Sequence, residues 1–314
     1  MLICKASPRM STIARTLCPH IISVIIDMLA SEFVFDCAVR NGQHPKARAG
    51  GNKRDYPHKD IEAASRVCKK WRDCALACSE LWAYIAIPGA CFPLMVEEPE
   101  EPWWTWAEVL RLRSKERPLV MCIDLRFAGE YDHCQVIQNC LPRIKELCLH
   151  NSELSSDQHQ LILDVLKENR APRMEKFTLD MKDTTRRLRF DFEPGDLFCD
   201  DTPMLRWLTV KPGIRAVSPS VLSRLTRYTV LHRVSERTHD YDLHAQLSLM
   251  TSLEVLEIEF DSQHKLDWEN RGEIHLERLQ KIVIRGGLQD CEQFLSKMRL
   301  PENFWVEYPE WGCL

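Results

Sequence analysis

From residue 117 onward, three apolar residues recur at offsets of three and then two: Val120, Ile123, Leu125; Ile144, Leu147, Leu149; Met174, Phe177, Leu179; Leu205, Leu208, Val210; Leu225, Tyr228, Val230; Leu253, Leu256, Ile258; and Leu279, Ile282, Ile284. An offset of two returns a side chain to the same face of a strand, so each triplet predicts a short strand with its last two members turned inward. A single match is weak, because in a chain that is 45% hydrophobic about one position in eleven would begin such a triplet by chance. The regular spacing is stronger. Successive starts lie 24, 30, 31, 20, 28 and 26 residues apart, overlapping the period of roughly 20 to 29 residues at which some stacked repeat architectures bury a continuous core. Pro142, Pro172 and Pro203 each stand two residues before their triplets, where a chain turning into a strand tolerates a missing amide donor. Connectors such as Ser156 to Asn169, with Leu161, Ile162, Val165 and Leu166, and Asp290 to Met298 read as helices behind the strands.

The first ninety or so residues obey a different order. Residues 1–16 read as a flexible N-terminus. Residues 17–38 read as a helix with Ile21, Ile22, Ile25, Ile26, Leu29 and Phe33 on one stripe and Pro19 in its first turn. Residues 39–59, with Gly42, Pro45, Gly50, Gly51 and Pro57 and almost nothing apolar, read as an exposed loop. A second helix starts near Asp60, a suitable N-cap, and carries Ala63, Ala64, Val67, Cys68, Trp71 and Ala75 toward the Leu81-Trp82 pair. An acidic, proline-punctuated stretch from Glu97 to Pro102 then precedes Trp103, Trp104 and Trp106, so residues 89–116 read as a linker with one short helix.

Charge and motif content narrow the function. The formal net charge is -4, so no global basic field exists to hold a nucleic acid or an anionic membrane surface. The 14 cysteines are scattered, without a CxxC pair; they read as reduced thiols in the cytosol or nucleus, and no metal site is expected of them. No Gly-rich phosphate loop, nucleophile elbow or zincin helix occurs, so neither an enzyme nor a cofactor is expected. His232, His239 and His244, near Asp240 and Asp242, lack fixed ligand spacing and read as a connector. Lys5, Arg9 and Arg15 ahead of the apolar run Ile21 to Leu29 resemble an organellar presequence, but the run is short, is interrupted by Asp27 and lacks a small-residue cleavage site.

Ala64-Ser65-Arg66-Val67-Cys68-Lys69-Lys70-Trp71-Arg72-Asp73, followed by Leu81-Trp82, resembles the second half of an F-box, especially in the F-box proteins of mushroom-forming fungi. Cys18, Pro19, Ile22, Ile25, Ile26 and Leu29 partly reproduce its first half. Cys18 stands in place of a leucine, Ile21 in place of an acidic residue, and the 34–59 connection is longer than usual. The acidic Glu97 to Glu101 stretch, the tryptophans after it and Arg117-Pro118-Leu119 also resemble the region C-terminal to the F-box in those proteins. The resemblance implies an F-box-like domain at 17–88 that docks the Skp adaptor of a cullin-RING (SCF) ubiquitin ligase through Pro19, Ile22, Ile25, Ile26, Leu29, Val67, Cys68 and Trp71. The competing reading is that these residues only form the module's own core. The triplets at 117–314 resemble irregular leucine-rich repeats, and the expected fold class is α/β: a helical module, then a solenoid whose curved parallel sheet is backed by helices.

The residues between triplet members fall on the opposite, concave face of the strands, which makes that face the candidate site for a target protein. It carries Glu146, Cys148 and His150; Lys176, Thr178 and Asp180; Trp207, Thr209 and Lys211; Arg227 and Thr229; Glu257 and Glu259; and Lys281 and Arg285. Lys176, Trp207, Thr209, Arg227, Glu257 and Lys281 are the candidate binding residues, centred on Trp207, because aromatic and arginine anchors dominate interfaces. The competing expectations are a repeat-only scaffold with a degenerate F-box and an organelle-targeted protein.

Overall fold

The computed structural model describes residue 24 and residues 69–79, 81–87, 103–125, 132–151, 156–181, 197–210, 217–230, 243–260 and 272–308. Among the described residues the fold is α/β, with a parallel sheet of nine strands backed by helices. The chain divides into two compact units, residues 1–88 with 92–122 and residues 89–91 with 123–314. Apart from Val24, which is helical and exposed, the expected N-terminus, the first helix and the 39–59 loop lie outside the described residues. No helix among the described residues is long and apolar enough to cross a membrane.

In the first unit, α1 (Lys69–Ala77) leads to a single 3-10 turn, Leu81–Ala83, and to β1 (Tyr84–Ile87). The sequence pattern predicts the helix and not the strand, because Tyr84-Ile85-Ala86-Ile87 offers too short an apolar run to show a period. Next comes α2 (Trp103–Arg113), which packs on that turn and on β1 with Leu110 buried. It ends where Lys115 takes a left-handed φ of 52°, a usual way to close a helix. Within the segment expected to be a linker, α2 is thus a packed part of the first unit. The boundary between the units falls inside β2 (Leu119–Asp124).

The second unit is built by repetition. Its main strands are β3 (Ile144–Asn151), β4 (Lys176–Met181), β5 (Trp207–Val210), β6 (Arg227–Val230), β7 (Val255–Glu259), β9 (Lys281–Arg285) and β11 (Trp305–Glu307), neighbours in that order and parallel throughout. Register follows the triplets: Leu147, Phe177, Leu208, Tyr228, Leu256 and Ile282 lie opposite one another across successive strands. From the second triplet to the seventh every member is buried; in the first, Ile123 and Leu125 are buried but Val120 is only half-buried.

A fourth buried position precedes each of the last six triplets by three residues: Leu141, Ala171, Thr202, Leu222, Met250 and Leu276. Its carbonyl accepts a hydrogen bond from the amide of the first triplet member, at 3.0 Å for Ala171 and Met174 and 3.1 Å for Thr202 and Leu205. This closes a turn of four residues. Pro142, Pro172 and Pro203 occupy its second position, where the fixed proline φ is already correct. The residue ahead of each strand then donates to its counterpart in the previous repeat: Glu175 to Lys145, Arg206 to Glu175, Thr226 to Arg206, Glu254 to Thr226 and Gln280 to Glu254, all at 2.7–2.9 Å. Parallel strands are therefore locked in register by their entry turns as well as by their ladders.

Helices back the strands. They are α3 (Asp132–Cys140), α4 (Ser156–Glu168), the short α5 (Pro219–Leu222), α6 (Leu243–Leu249) and α7 (Leu288–Ser296). Of these, α4 and α7 occur where the two apolar connectors predicted helices. Ile162, Leu163 and Leu166 of α4 and Cys291 and Phe294 of α7 are buried, and edge-to-face pairs at 5.1 Å join Phe177 to Phe198 and Phe260 to Phe294. At Gly286, φ is +150° and an added Cβ would lie 2.9 Å from Phe260 Cβ, so glycine is needed between β9 and α7. A small parallel pair, β8 (Ile274–His275) with β10 (Met298–Arg299), was not expected from the sequence.

Candidate functional site

Strand periodicity sends Glu146, Lys176, Trp207, Arg227, Val255, Lys281 and Trp305 to the face opposite the triplet core, and the parallel register sets them side by side in one row. Three consecutive strands thereby present a bracketed aromatic: Lys176 Nζ lies 3.7 Å from the centroid of the Trp207 ring and Arg227 Cζ 4.2 Å. Both cations have carboxylate partners on the outer side. Lys176 Nζ is 3.9 Å from Glu146 Oε2, and Arg227 donates to Glu257 Oε1 at 2.7 Å. The row thus runs acid, cation, indole, cation from Glu146 to Arg227, and the second acid, Glu257, reaches Arg227 from the adjacent row, where it pairs with Thr229.

Magnitudes indicate what such a row contributes. A partly exposed cation–π contact adds about 0.5–1 kcal/mol, and an ion pair that keeps some contact with water adds about 1 kcal/mol or less. Among the described residues, Trp207 Nε1 and Arg227 Nε are buried without a hydrogen-bond acceptor, and an unmet buried donor costs about 1–3 kcal/mol. Gains and costs nearly cancel. The row does little to hold the fold together, in contrast to the triplets behind it.

The remaining candidates divide by burial. Thr209 lies between Thr178 and Thr229 in the next row, and all three are buried, as is Glu257 at 3% exposure. Thr209 and Glu257 therefore shape and charge the face from beneath and present almost no surface of their own. Lys281 is open, and its ammonium is 2.6 Å from Glu307 on β11. The hydrogen bond from Lys281, with the attraction of its charge, holds the Glu307 carboxyl below the ordinary carboxylate range. β11 carries no triplet and was missed in the sequence; its signal is the alternation Trp305-Val306-Glu307 one repeat length after Lys281. Farther along the face, Cys148 and His150 are half-buried and Asp180 is buried.

The candidate adaptor-binding residues are placed less fully. Pro19, Ile22, Ile25, Ile26, Leu29, Val67 and Cys68 lie outside the described residues. Trp71 belongs to α1, on which Arg72, Asp73 and Leu76 are exposed. Trp82, the second half of the Leu81-Trp82 pair, is 2% exposed, and Arg113 Cζ of α2 stands 4.5 Å from its ring centroid. Its role is in the core of the first unit. Of the histidine group, His244 is bonded through Nε2 to the Gly272 carbonyl at 2.8 Å; His232, His239, Asp240 and Asp242 lie outside the described residues.

Compared with known proteins, the sequence matches no protein-family model and no curated protein.

Proposed function

We propose that this protein is a substrate receptor of an SCF-type cullin-RING ubiquitin ligase: an F-box-like module docks the Skp adaptor, and a leucine-rich-repeat solenoid holds a target protein for ubiquitin transfer by other subunits. The protein itself performs no chemistry in this role. It binds and orients, in the cytosol or nucleus.

The observation that carries the binding half is the row across β3 to β7. An indole held between two cations contributes little to stability, yet it presents a rigid, amphipathic anchor of the kind that dominates protein interfaces. Its three residues come from three different repeats, as expected of a surface that a stack of repeats offers to a partner. The adaptor half is supported by the resemblance at residues 64–73, whose aliphatic and aromatic residues suit protein docking, and Lys69–Ala77 is helical.

Co-purification of the full chain with the Skp adaptor tests the proposal. Wild type is expected to capture the adaptor, and a variant combining Trp71→Ala with Ile26→Asp is expected to lose it. Absence of capture by wild type, or capture that survives the double substitution, overturns ligase membership. Proximity labelling with wild type and with Trp207→Ala, Arg227→Ala separates the halves. Neighbours lost from the variant while adaptor capture persists identify the target, whereas target binding without adaptor capture identifies a repeat-only scaffold.

A further inference from the structure

On β3, Cys148 and His150 are two residues apart and so share a face; on β4, Asp180 pairs in register with His150. Cys148 Sγ is hydrogen-bonded to His150 Nε2 at 2.9 Å, and the other ring nitrogen, Nδ1, lies 3.6 Å from Asp180 Oδ2. The Asp180 side chain is 9% exposed and that of His150 20%. Thiol, imidazole and carboxylate are thus lined up in the order in which a proton can leave sulfur, reside on the ring and be stabilised by a fixed negative charge. Every member sits on a strand of the repeat ladder, which holds the three groups at fixed spacing.

We propose that Cys148 is a nucleophilic thiol, with His150 as its proton acceptor and Asp180 as the residue that positions and stabilises the charged ring, and that it is a site of covalent modification by hydroperoxides and other soft electrophiles. With a hydroperoxide, the Sγ proton passes to His150 Nε2 and the sulfur lone pair attacks the terminal oxygen. The S–O bond forms as the O–O bond breaks. The departing alkoxide, or hydroxide from hydrogen peroxide, takes the proton back from His150. Cys148 is oxidised by two electrons to a sulfenic acid, and the hydroperoxide is reduced to an alcohol or to water.

Cys199 provides an internal control. It is exposed, whereas Cys148 is only half-buried, and its thiol donates to the Lys167 carbonyl at 3.0 Å instead of meeting a base. If exposure governs reactivity, Cys199 reacts first; if the imidazole does, Cys148 reacts first. The full-length protein is treated at neutral pH with limiting iodoacetamide and, separately, with hydrogen peroxide followed by dimedone, and each cysteine is quantified by peptide mass spectrometry.

Alkylation of Cys148 is expected to be about tenfold faster than that of Cys199, and faster than that of Cys148 itself in the urea-unfolded chain. His150→Gln is expected to abolish the advantage and Asp180→Asn to reduce it. Dimedone is expected on Cys148 first. Cys148 reacting no faster in the native chain than in urea, Cys199 labelled ahead of Cys148, or an undiminished rate in a folded His150→Gln protein overturns the proposal. Should that variant not fold, the wild-type comparison of Cys148 with Cys199 decides.

Discussion

The two faces of the second unit's sheet come from alternate residues of the same strands, yet they obey opposite rules. On the helix-backed face, Leu147, Phe177, Leu208, Tyr228, Leu256 and Ile282 form a row in which every member is at most 1% exposed and the one polar group, the Tyr228 hydroxyl, donates to Gln246. On the other face, Glu146, Lys176, Trp207, Arg227, Val255, Lys281 and Trp305 form a row of mixed chemistry joined by directional contacts. The first face gains from burial, which is non-directional and additive; on the second, desolvation offsets most of the interaction energy. Residues that gain from burial and residues that gain little are therefore separated by one step along a strand.

The largest test is on the apolar row. Leu208→Ala is expected to cost about 2–5 kcal/mol by chemical denaturation, whereas Thr209→Val, its neighbour on the other face, is expected to change stability by about 1 kcal/mol or less. A Leu208→Ala cost under about 1 kcal/mol would break the distinction between the faces. An intermediate effect is expected for Glu257→Gln, which leaves shape intact but removes the charge that Arg227 meets at 2.7 Å: a loss of about 1–2 kcal/mol, larger at low salt than at high salt.

Trp207→Phe sharpens the comparison further. It removes the unmet indole N–H while keeping an aromatic face between Lys176 and Arg227, so stability is expected to stay within about 1 kcal/mol of wild type. A much larger loss would make Trp207 a core residue and remove the argument for an anchor. The smallest effect concerns Glu307, whose carboxyl is held below the ordinary range by Lys281. A depressed folded-state value means that its contribution is present above the unfolded carboxylate range, about pH 4.3, and is lost as pH falls through the lower folded value. Glu307→Gln is expected to flatten the stability profile as pH falls below the unfolded carboxylate range. An identical acid limb in both proteins would remove the Lys281 to Glu307 link between β9 and β11.

Much of this architecture is legible in the chain. Strand positions follow from the period-two triplets, helices at Ser156–Glu168 and Leu288–Ser296 from apolar connectors, and even the neighbourhood of Lys176, Trp207 and Arg227 from stacking one triplet on the next. Other features left no readable period. β1 and β11 are four and three residues long, too short for alternation to stand out from chance. The fourth repeat position escaped because Thr202 and Ala171 share burial with Leu141, Leu222, Met250 and Leu276 but not an obvious chemical type.

By itself the sequence determined that the second unit would repeat short strands backed by helices, with an apolar and a polar side to each strand, because those properties arise from local periodicity and turn chemistry. Tertiary structure alone decided which polar groups meet. Arg227 turns to Glu257 across one strand boundary while bracketing Trp207 across another; Thr209 is buried beneath the row; and Cys148, His150 and Asp180 fall into line. Lateral distances of roughly three to four ångströms depend on rotamers and on desolvation shared between strands, and neither is encoded in any one repeat.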